Sequence, residues 1–163
     1  MKTLLIVFHS LTGGTRQMAE AAAHAARAEP SIKVALRTAR EAGADDLLAA
    51  DGTIFAAPEN LAAIAGVMKD FFDRTYYPVL GRIEGRPYAA LICAGSDGEN
   101  AARQIARIAT GWRLRKVAEP LIVCTNAQTP AEILAPKLIA QADLANCAEV
   151  GATLAAGLAM GIF

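Results

Sequence analysis

The chain of 163 residues carries 16 basic and 16 acidic side chains, so its formal net charge at pH 7 is zero. This balance excludes the strongly basic surface that binds nucleic acids or anionic membranes, and the strongly acidic surface that docks basic partners. A hydrophobic content of 54% excludes intrinsic disorder and, at this length, predicts one compact domain over residues 1–163.

The cysteines and the chain termini indicate the compartment. Cys93, Cys124 and Cys147 are too few and too far apart for a disulfide framework or a structural zinc site, so we expect no metal. The apolar run Leu4–Phe8 is too short for a signal peptide, which favours the reducing cytoplasm. The longest charge-free stretch, residues 150–163, is too short to span a membrane. It is typical of a buried helix or of a subunit contact, and the second of these would form a homodimer.

Strand and helix patterns alternate along the chain. Apolar or alternating runs predict five strands: Leu4–Phe8, Ile32–Arg37, Gly52–Ala57, Pro87–Ala94 and Pro120–Cys124. Helix formers and apolar periodicity predict the intervening helices: 15–28, 45–50, 64–75 and 99–110. This alternation predicts a three-layer α/β/α fold, doubly wound, with a five-stranded parallel sheet.

Prolines mark two of the predicted helix boundaries, the end of one helix and the start of another. Pro78 is expected to end the third helix. Thr129 and Glu132 form a capping box with Pro130 at the first helical position. We therefore expect one long C-terminal helix from this point, with a kink at Pro136.

In an open parallel sheet, ligands bind beyond the carboxyl ends of the strands. The loops at this edge are His9–Gly14, Pro58–Ala63, Gly95–Glu99 and Thr125–Gln128. The segment from Ser10 to Thr15 places three hydroxyls and two glycines between a buried strand and a helix N-terminus, which predicts a phosphate-binding loop. It lacks the lysine of a Walker A loop and the GxGxxG spacing. The alternative is a glycine-rich turn with a threonine cap.

Two motifs carry a family resemblance. Ser10-x-Thr12-Gly13-x-Thr15 after a first strand resembles the FMN-phosphate loop of flavodoxins and of flavodoxin-like NAD(P)H-dependent FMN reductases. Pro58–Asn60 followed by Gly66–Arg74 resembles the loop and helix after the third strand in the reductase and quinone-reductase branch. The resemblance spreads over the whole chain. It implies a flavodoxin-like strand order 2-1-3-4-5 and one bound FMN.

The resemblance also implies which residues bind the cofactor. The phosphate would be held by Ser10, Leu11, Thr12, Gly13, Gly14 and Thr15. The isoalloxazine would be held by Pro58, Glu59, Asn60, Leu61, Gly95, Ser96, Asp97 and Gly98. No catalytic side chain is implied, because FMN carries the redox chemistry.

The chain departs from the family pattern at two places. Relatives often carry asparagine at the position of Gly14, and an aromatic residue and a glycine after Asn60, where this chain has Leu61-Ala62-Ala63. Stacking on an aromatic ring contributes about 0.5–1.5 kcal/mol beyond area burial. We therefore expect FMN to bind roughly tenfold more weakly than with the ring present.

The resemblance implies an FMN-dependent oxidoreductase that transfers electrons or hydride from NAD(P)H to a small acceptor such as a quinone or a flavin. One alternative is a flavodoxin-type electron carrier with redox-protein partners, and another is a binding module with a degenerate flavin site. The zero net charge favours the enzyme over the carrier, because carriers usually present an acidic face to basic partners.

Three further side chains keep two interpretations each, and a fourth has one. His9 either donates to a phosphate or substrate, or is a satisfied strand-end histidine. Tyr76 and Tyr77 lie near the flavin edge or at a subunit interface. Trp112 is expected to anchor the approach to the last strand.

Overall fold

The computed structural model describes all 163 residues. The strands are β1 (Lys2–Phe8), β2 (Ile32–Thr38), β3 (Gly52–Asn60), β4 (Ala63–Ile64), β5 (Pro87–Ala94), β6 (Arg115–Lys116) and β7 (Leu121–Cys124). The helices are α1 (Gly14–Ala26), α2 (Ala44–Ala49), α3 (Gly66–Val79), α4 (Glu99–Gly111), α5 (Pro130–Leu134) and α6 (Gln141–Met160).

The sheet is parallel except for one short hairpin. Its order is β2-β1-β3-β5, and both β6 and β7 lie beside β5 on the far side. β6 pairs with the start of β5 and β7 with its end, so the two occupy one interrupted strand position. Only the two-residue β4 runs antiparallel to its partner, β3. The expected doubly wound, flavodoxin-like order 2-1-3-4-5 is confirmed.

Each face of the sheet has its own apolar core. On one face, Phe55 of β3 packs against Phe71 and Phe72 of α3 and against Trp112, with ring centroids 5.1–6.4 Å apart. Trp112 also donates from Nε1 to the carbonyl of Tyr76 at 3.0 Å. Because strand side chains alternate in direction, the other face is formed by the neighbours of these residues under α1 and α6. The α/β/α layering is confirmed.

Helices α1 and α6 approach each other unusually closely. Ala19, Ala22 and Ala23 of α1 are fully buried, and Gly151 of α6 faces them. A Cβ at Gly151 would lie 2.1 Å from the carbonyl oxygen of Ala22. Only small residues allow the two helices to pack this closely, which accounts for part of the high alanine content of the chain.

The C-terminal apolar stretch is largely helical and partly buried. Leu154, Ala155 and Leu158 of α6 face the sheet, as a buried helix requires. No helix of the chain combines the length and the hydropathy needed to cross a membrane.

Three expected boundaries were wrong. β3 continues through Pro58 to Asn60 and turns back into β4, so Ile64 belongs to a hairpin and not to the third helix. α3 includes Pro78 in its last turn and ends one residue later. Proline is tolerated there because little helix follows it.

The expected long C-terminal helix is two helices. The capping box at Thr129 is present, but α5 has only five residues. Ala135 is extended, with ψ of 151°, because the ring of Pro136 disfavours a helical conformation in the residue before it. An extended segment, residues 135–140, therefore separates α5 from α6.

Candidate functional site

A cleft of about 470 Å³ opens at the carboxyl edge of the sheet. Seven of the fourteen predicted site residues line it: Thr12, Pro58, Glu59, Asn60, Leu61, Gly95 and Ser96. The other seven lie within three residues of these in the chain. Sequence reasoning missed the floor, Cys93 and Ala94, and the wall residues Ile133 and Lys137. The loop Thr125–Gln128, which the strand order places at this edge, supplies the rest of that wall.

The predicted phosphate loop presents free backbone donors. Gly13 caps α1 with φ of +92°, a left-handed conformation that favours glycine, and no side chain caps this helix. The amides of Gly14, Thr15 and Arg16 donate to no acceptor, although Gly14 and Thr15 are buried. The Gly13 amide donates to Ser10 Oγ at 3.1 Å. Unpaired amides at a helix N-terminus suit an oxyanion, so this loop fits the phosphate of FMN.

The second glycine loop is different, because three of the amides around the N-terminus of α4, those of Gly98, Glu99 and Ala101, already donate to carboxylates. Gly98 caps α4 with φ of +89°, but its amide donates to the Glu59 carboxylate at 2.9 Å. The other oxygen of Glu59 accepts from Ala101 at 3.2 Å, and Asp97 accepts from Glu99 at 3.1 Å. The Glu59 side chain therefore ties the β3–β4 hairpin to α4. Gly95 and Ser96 are the part of this loop that faces the cleft.

The hairpin tip beside the cleft adopts a conformation that its residues disfavour. Leu61 and Ala62 form its two-residue turn with φ of +50° and +59°. Positive φ at both positions is the pattern of a type I′ turn, which asparagine and glycine adopt most readily. The Leu61 side chain is fully exposed at the edge of the cleft.

Ala62→Gly should stabilise the protein by about 0.5–1 kcal/mol, because glycine adopts the left-handed conformation without a steric cost. Chemical denaturation measures this as a higher midpoint. Ala63→Gly is the matched control, since Ala63 lies in β4 without positive φ. That control should lower stability, and a loss in both variants would contradict strain at the tip.

A single side chain fastens the extended segment to the phosphate loop. Gln17 Nε2 donates to the carbonyls of Gly13 and Lys137 at 3.0 and 2.8 Å, and Gln17 Oε1 accepts from Ile139 at 3.1 Å. The Lys137 amide also donates to the Thr12 carbonyl at 2.8 Å. We call this arrangement the Gln17 clamp. It holds in place the wall of the cleft that contains Ile133 and Lys137.

Gln17→Met should raise the amide hydrogen-exchange rate of Lys137 and Ile139 about tenfold, because it removes three hydrogen bonds of roughly 1 kcal/mol each, partly replaced by water. Exchange followed by NMR checks this. Arg16→Met is the control, since the exposed Arg16 reaches only Glu20 and the Phe8 ring. Unchanged protection in Gln17→Met would contradict the clamp.

Cys93 and His9 are held neutral at pH 7. Burial raises the pKa of the Cys93 thiol, which lies beneath the phosphate loop. A Cβ at Gly14 would lie 2.7 Å from this sulfur, so the asparagine common in relatives would not fit without moving Cys93. Burial and the Arg40 charge lower the pKa of His9, so its imidazole is neutral at pH 7.

Tyr76 and Tyr77 lie far from the cleft. They are in the last turns of α3, whose first turn is the end near the cleft. Tyr76 stacks on Trp112 with centroids 5.6 Å apart, and Tyr77 is exposed. Of the two expected positions, the flavin edge is therefore wrong.

Comparisons with known proteins identify relatives. The model of the family described as NADPH-dependent FMN reductase matches residues 33–128. A flavodoxin of Aquifex aeolicus is 34% identical over 98 residues, which cover 60% of this chain and 53% of that protein. A NAD(P)H dehydrogenase (quinone) of Acidithiobacillus ferrooxidans is 36% identical over 95 residues, covering 46% of this chain and 48% of that one. The chain thus matches about half the length of these curated relatives.

Solved structures share the fold. An archaeal flavodoxin superposes with a TM-score of 0.76 at 19% identity, covering 94% of this chain and 96% of that one. The rubredoxin oxygen:oxidoreductase of Desulfovibrio gigas gives 0.79 at 17% identity, over 99% of this chain and 37% of that one. A WrbA-like protein of Agrobacterium tumefaciens gives 0.69 at 20% identity over 96% of both chains.

Proposed function

The chain belongs to the NADPH-dependent FMN reductase family, whose fold is flavodoxin-like, and on that premise we propose that it is an FMN-binding oxidoreductase. The proposed reaction carries electrons from NAD(P)H to a small neutral acceptor such as a quinone. It balances as NAD(P)H, a proton and the quinone giving NAD(P)⁺ and the hydroquinone. The quinone relative supports this acceptor class.

The main support for this proposal is that the two ends of the cleft differ chemically. The free amides of the phosphate loop lie at one end, and Thr12 connects them to the cleft. This loop precedes the residues that the family model matches, so its assignment rests on its own geometry. We assign the phosphate of FMN to residues 10–15.

The other end suits a flat, neutral ring. The side chains of Asn60, Ser96 and Gln128 line the cleft without a hydrogen-bond partner in the protein, and Ala94 and Ile133 add apolar surface. We assign the isoalloxazine to this end, between residues 58–61, 95–98 and 125–128. When bound there, FMN supplies the two-electron redox chemistry, and the protein supplies orientation.

The alternative is an electron carrier that docks a redox protein. Such docking is generally steered by charge across the contact. Around this cleft, Glu59, Asp97 and Lys137 are all engaged in internal hydrogen bonds. This arrangement favours a small neutral acceptor over a charged protein partner.

The test combines binding and turnover. FMN titrated into the cofactor-free protein should lose fluorescence saturably and should raise the melting temperature, because a ligand of the native state stabilises it by RT ln(1 + [L]/Kd). NADH and NADPH oxidation with a short, water-soluble quinone should then depend on FMN. Binding without oxidation would favour the carrier, and absence of binding would favour a module without a flavin.

A further inference from the structure

Exposed apolar side chains are concentrated around the mouth of the cleft. Ten large apolar side chains are exposed in the whole chain. Five of them line the cleft or directly follow or precede a lining residue: Leu11, Leu61, Ile133, Leu134 and Leu138. We call these five the apolar rim. The others, such as Tyr77 and Ile162, lie near the C-termini of α3 and α6 or at the start of β1.

The few charged side chains in the loops that carry the apolar rim all hydrogen-bond within the protein. Residues 10–15, 58–63, 95–98 and 125–140 contain four ionisable side chains in total. The carboxylates of Glu59 and Asp97 accept backbone amides of the α4 N-terminus. Glu132 accepts from the amides of Gln128 and Thr129, and the Lys137 ammonium donates to three carbonyls at the end of α5. A neutral, apolar partner is therefore the complementary one.

The size of the cleft places such a partner outside it. A volume of about 470 Å³ is in the range that holds one small ligand. Once the flavin ring lies there, only the reacting ring of an acceptor can reach it, and any further part must lie across the mouth. The apolar rim is the surface it meets.

We infer that the acceptor is a quinone with an apolar side chain, whose ring enters the cleft and whose tail packs on the apolar rim. This inference rests on the proposed function and names its substrate class. The redox step is unchanged: the quinone takes two electrons and two protons, from NAD(P)H and solvent, and leaves as the hydroquinone. The tail contributes binding only.

The test compares benzoquinones that share one ring and carry zero, one or two isoprenoid units, all below the concentration at which they form micelles. With the FMN-loaded wild type, kcat/KM should rise about tenfold for the first unit, because its buried carbons add apolar contact. Leu134→Ser and Leu138→Ser should each remove most of that gain and leave the tailless quinone unaffected. Ile162→Ser, exposed at the end of the chain, should keep the full gain.

The outcomes separate the two proposals. No reduction of the tailless quinone by the wild type would overturn the proposed function, and the tail site with it. Reduction of the tailless quinone with no gain from a tail would overturn the tail site alone. A gain in kcat/KM from the tail that survives both rim substitutions would also overturn the tail site. A monomer–dimer equilibrium that Leu138→Ser abolishes, with no tail effect, would assign the apolar rim to a second copy and would also overturn the inference.

Discussion

Thr12→Val is expected to weaken FMN binding about 10- to 100-fold and to change riboflavin binding by less than about twofold. Riboflavin has the same ring and ribityl chain but no phosphate. Thr12 lies where the phosphate loop meets the cleft, and its hydroxyl is the group that the substitution removes. A hydrogen bond to a charged group contributes about 1.5–3 kcal/mol, so only the ligand with the phosphate should lose it. Fluorescence titration of both flavins measures the two constants.

Thr125→Val is the matched control for this prediction. The Thr125 hydroxyl donates to the carbonyl of Ala94 at 3.2 Å, at the end of the cleft assigned to the ring. Any effect of this substitution should be the same factor for FMN and riboflavin. Equal losses of both flavins in Thr12→Val would contradict the assignment of the phosphate to residues 10–15.

Gly151→Ala is expected to lower the free energy of unfolding by about 2–3 kcal/mol. In an exposed helix this change would stabilise by up to about 1 kcal/mol, because alanine is the better helix former. Here the new Cβ would lie 2.1 Å from the carbonyl oxygen of Ala22, so α1 and α6 must move apart. Urea denaturation followed by circular dichroism measures the loss.

Gly157→Ala provides the comparison within the same helix. A Cβ there would meet the ring of Phe163, a side chain and not backbone, which can turn away. This substitution should be close to neutral. If both substitutions destabilise equally, the effect lies in α6 itself and not in its contact with the backbone of α1.

The main strands and the glycine loop before α1 could be predicted because their signals are local. β5 has the expected bounds, since an apolar run between turn residues describes a strand buried on both faces. Gly13 and Gly14 stand where a strand must turn into a helix, and the free amides of the loop follow from that position. The α/β alternation then predicted the parallel sheet and its layers, whereas the strand order was implied by the family resemblance.

The rest of the cleft depends on contacts between distant residues, which no local pattern contains. The Gln17 clamp joins side chain and backbone 120 and 122 residues apart. Glu59 reaches α4 across 39 and 42 residues. Pro136 was recognised as a disruption, but only the structure shows that the chain leaves the helix there and continues across the phosphate loop.

The Gln17 clamp has a consequence for the order of events during synthesis. The phosphate loop is synthesised about 120 residues before the wall of the cleft that Gln17 fastens, whose lining residues lie between Thr125 and Lys137. A nascent chain that ends before Ile139 has the loop but lacks the partner of its clamp. Assembly of the complete cleft thus waits until the chain has been synthesised as far as Ile139.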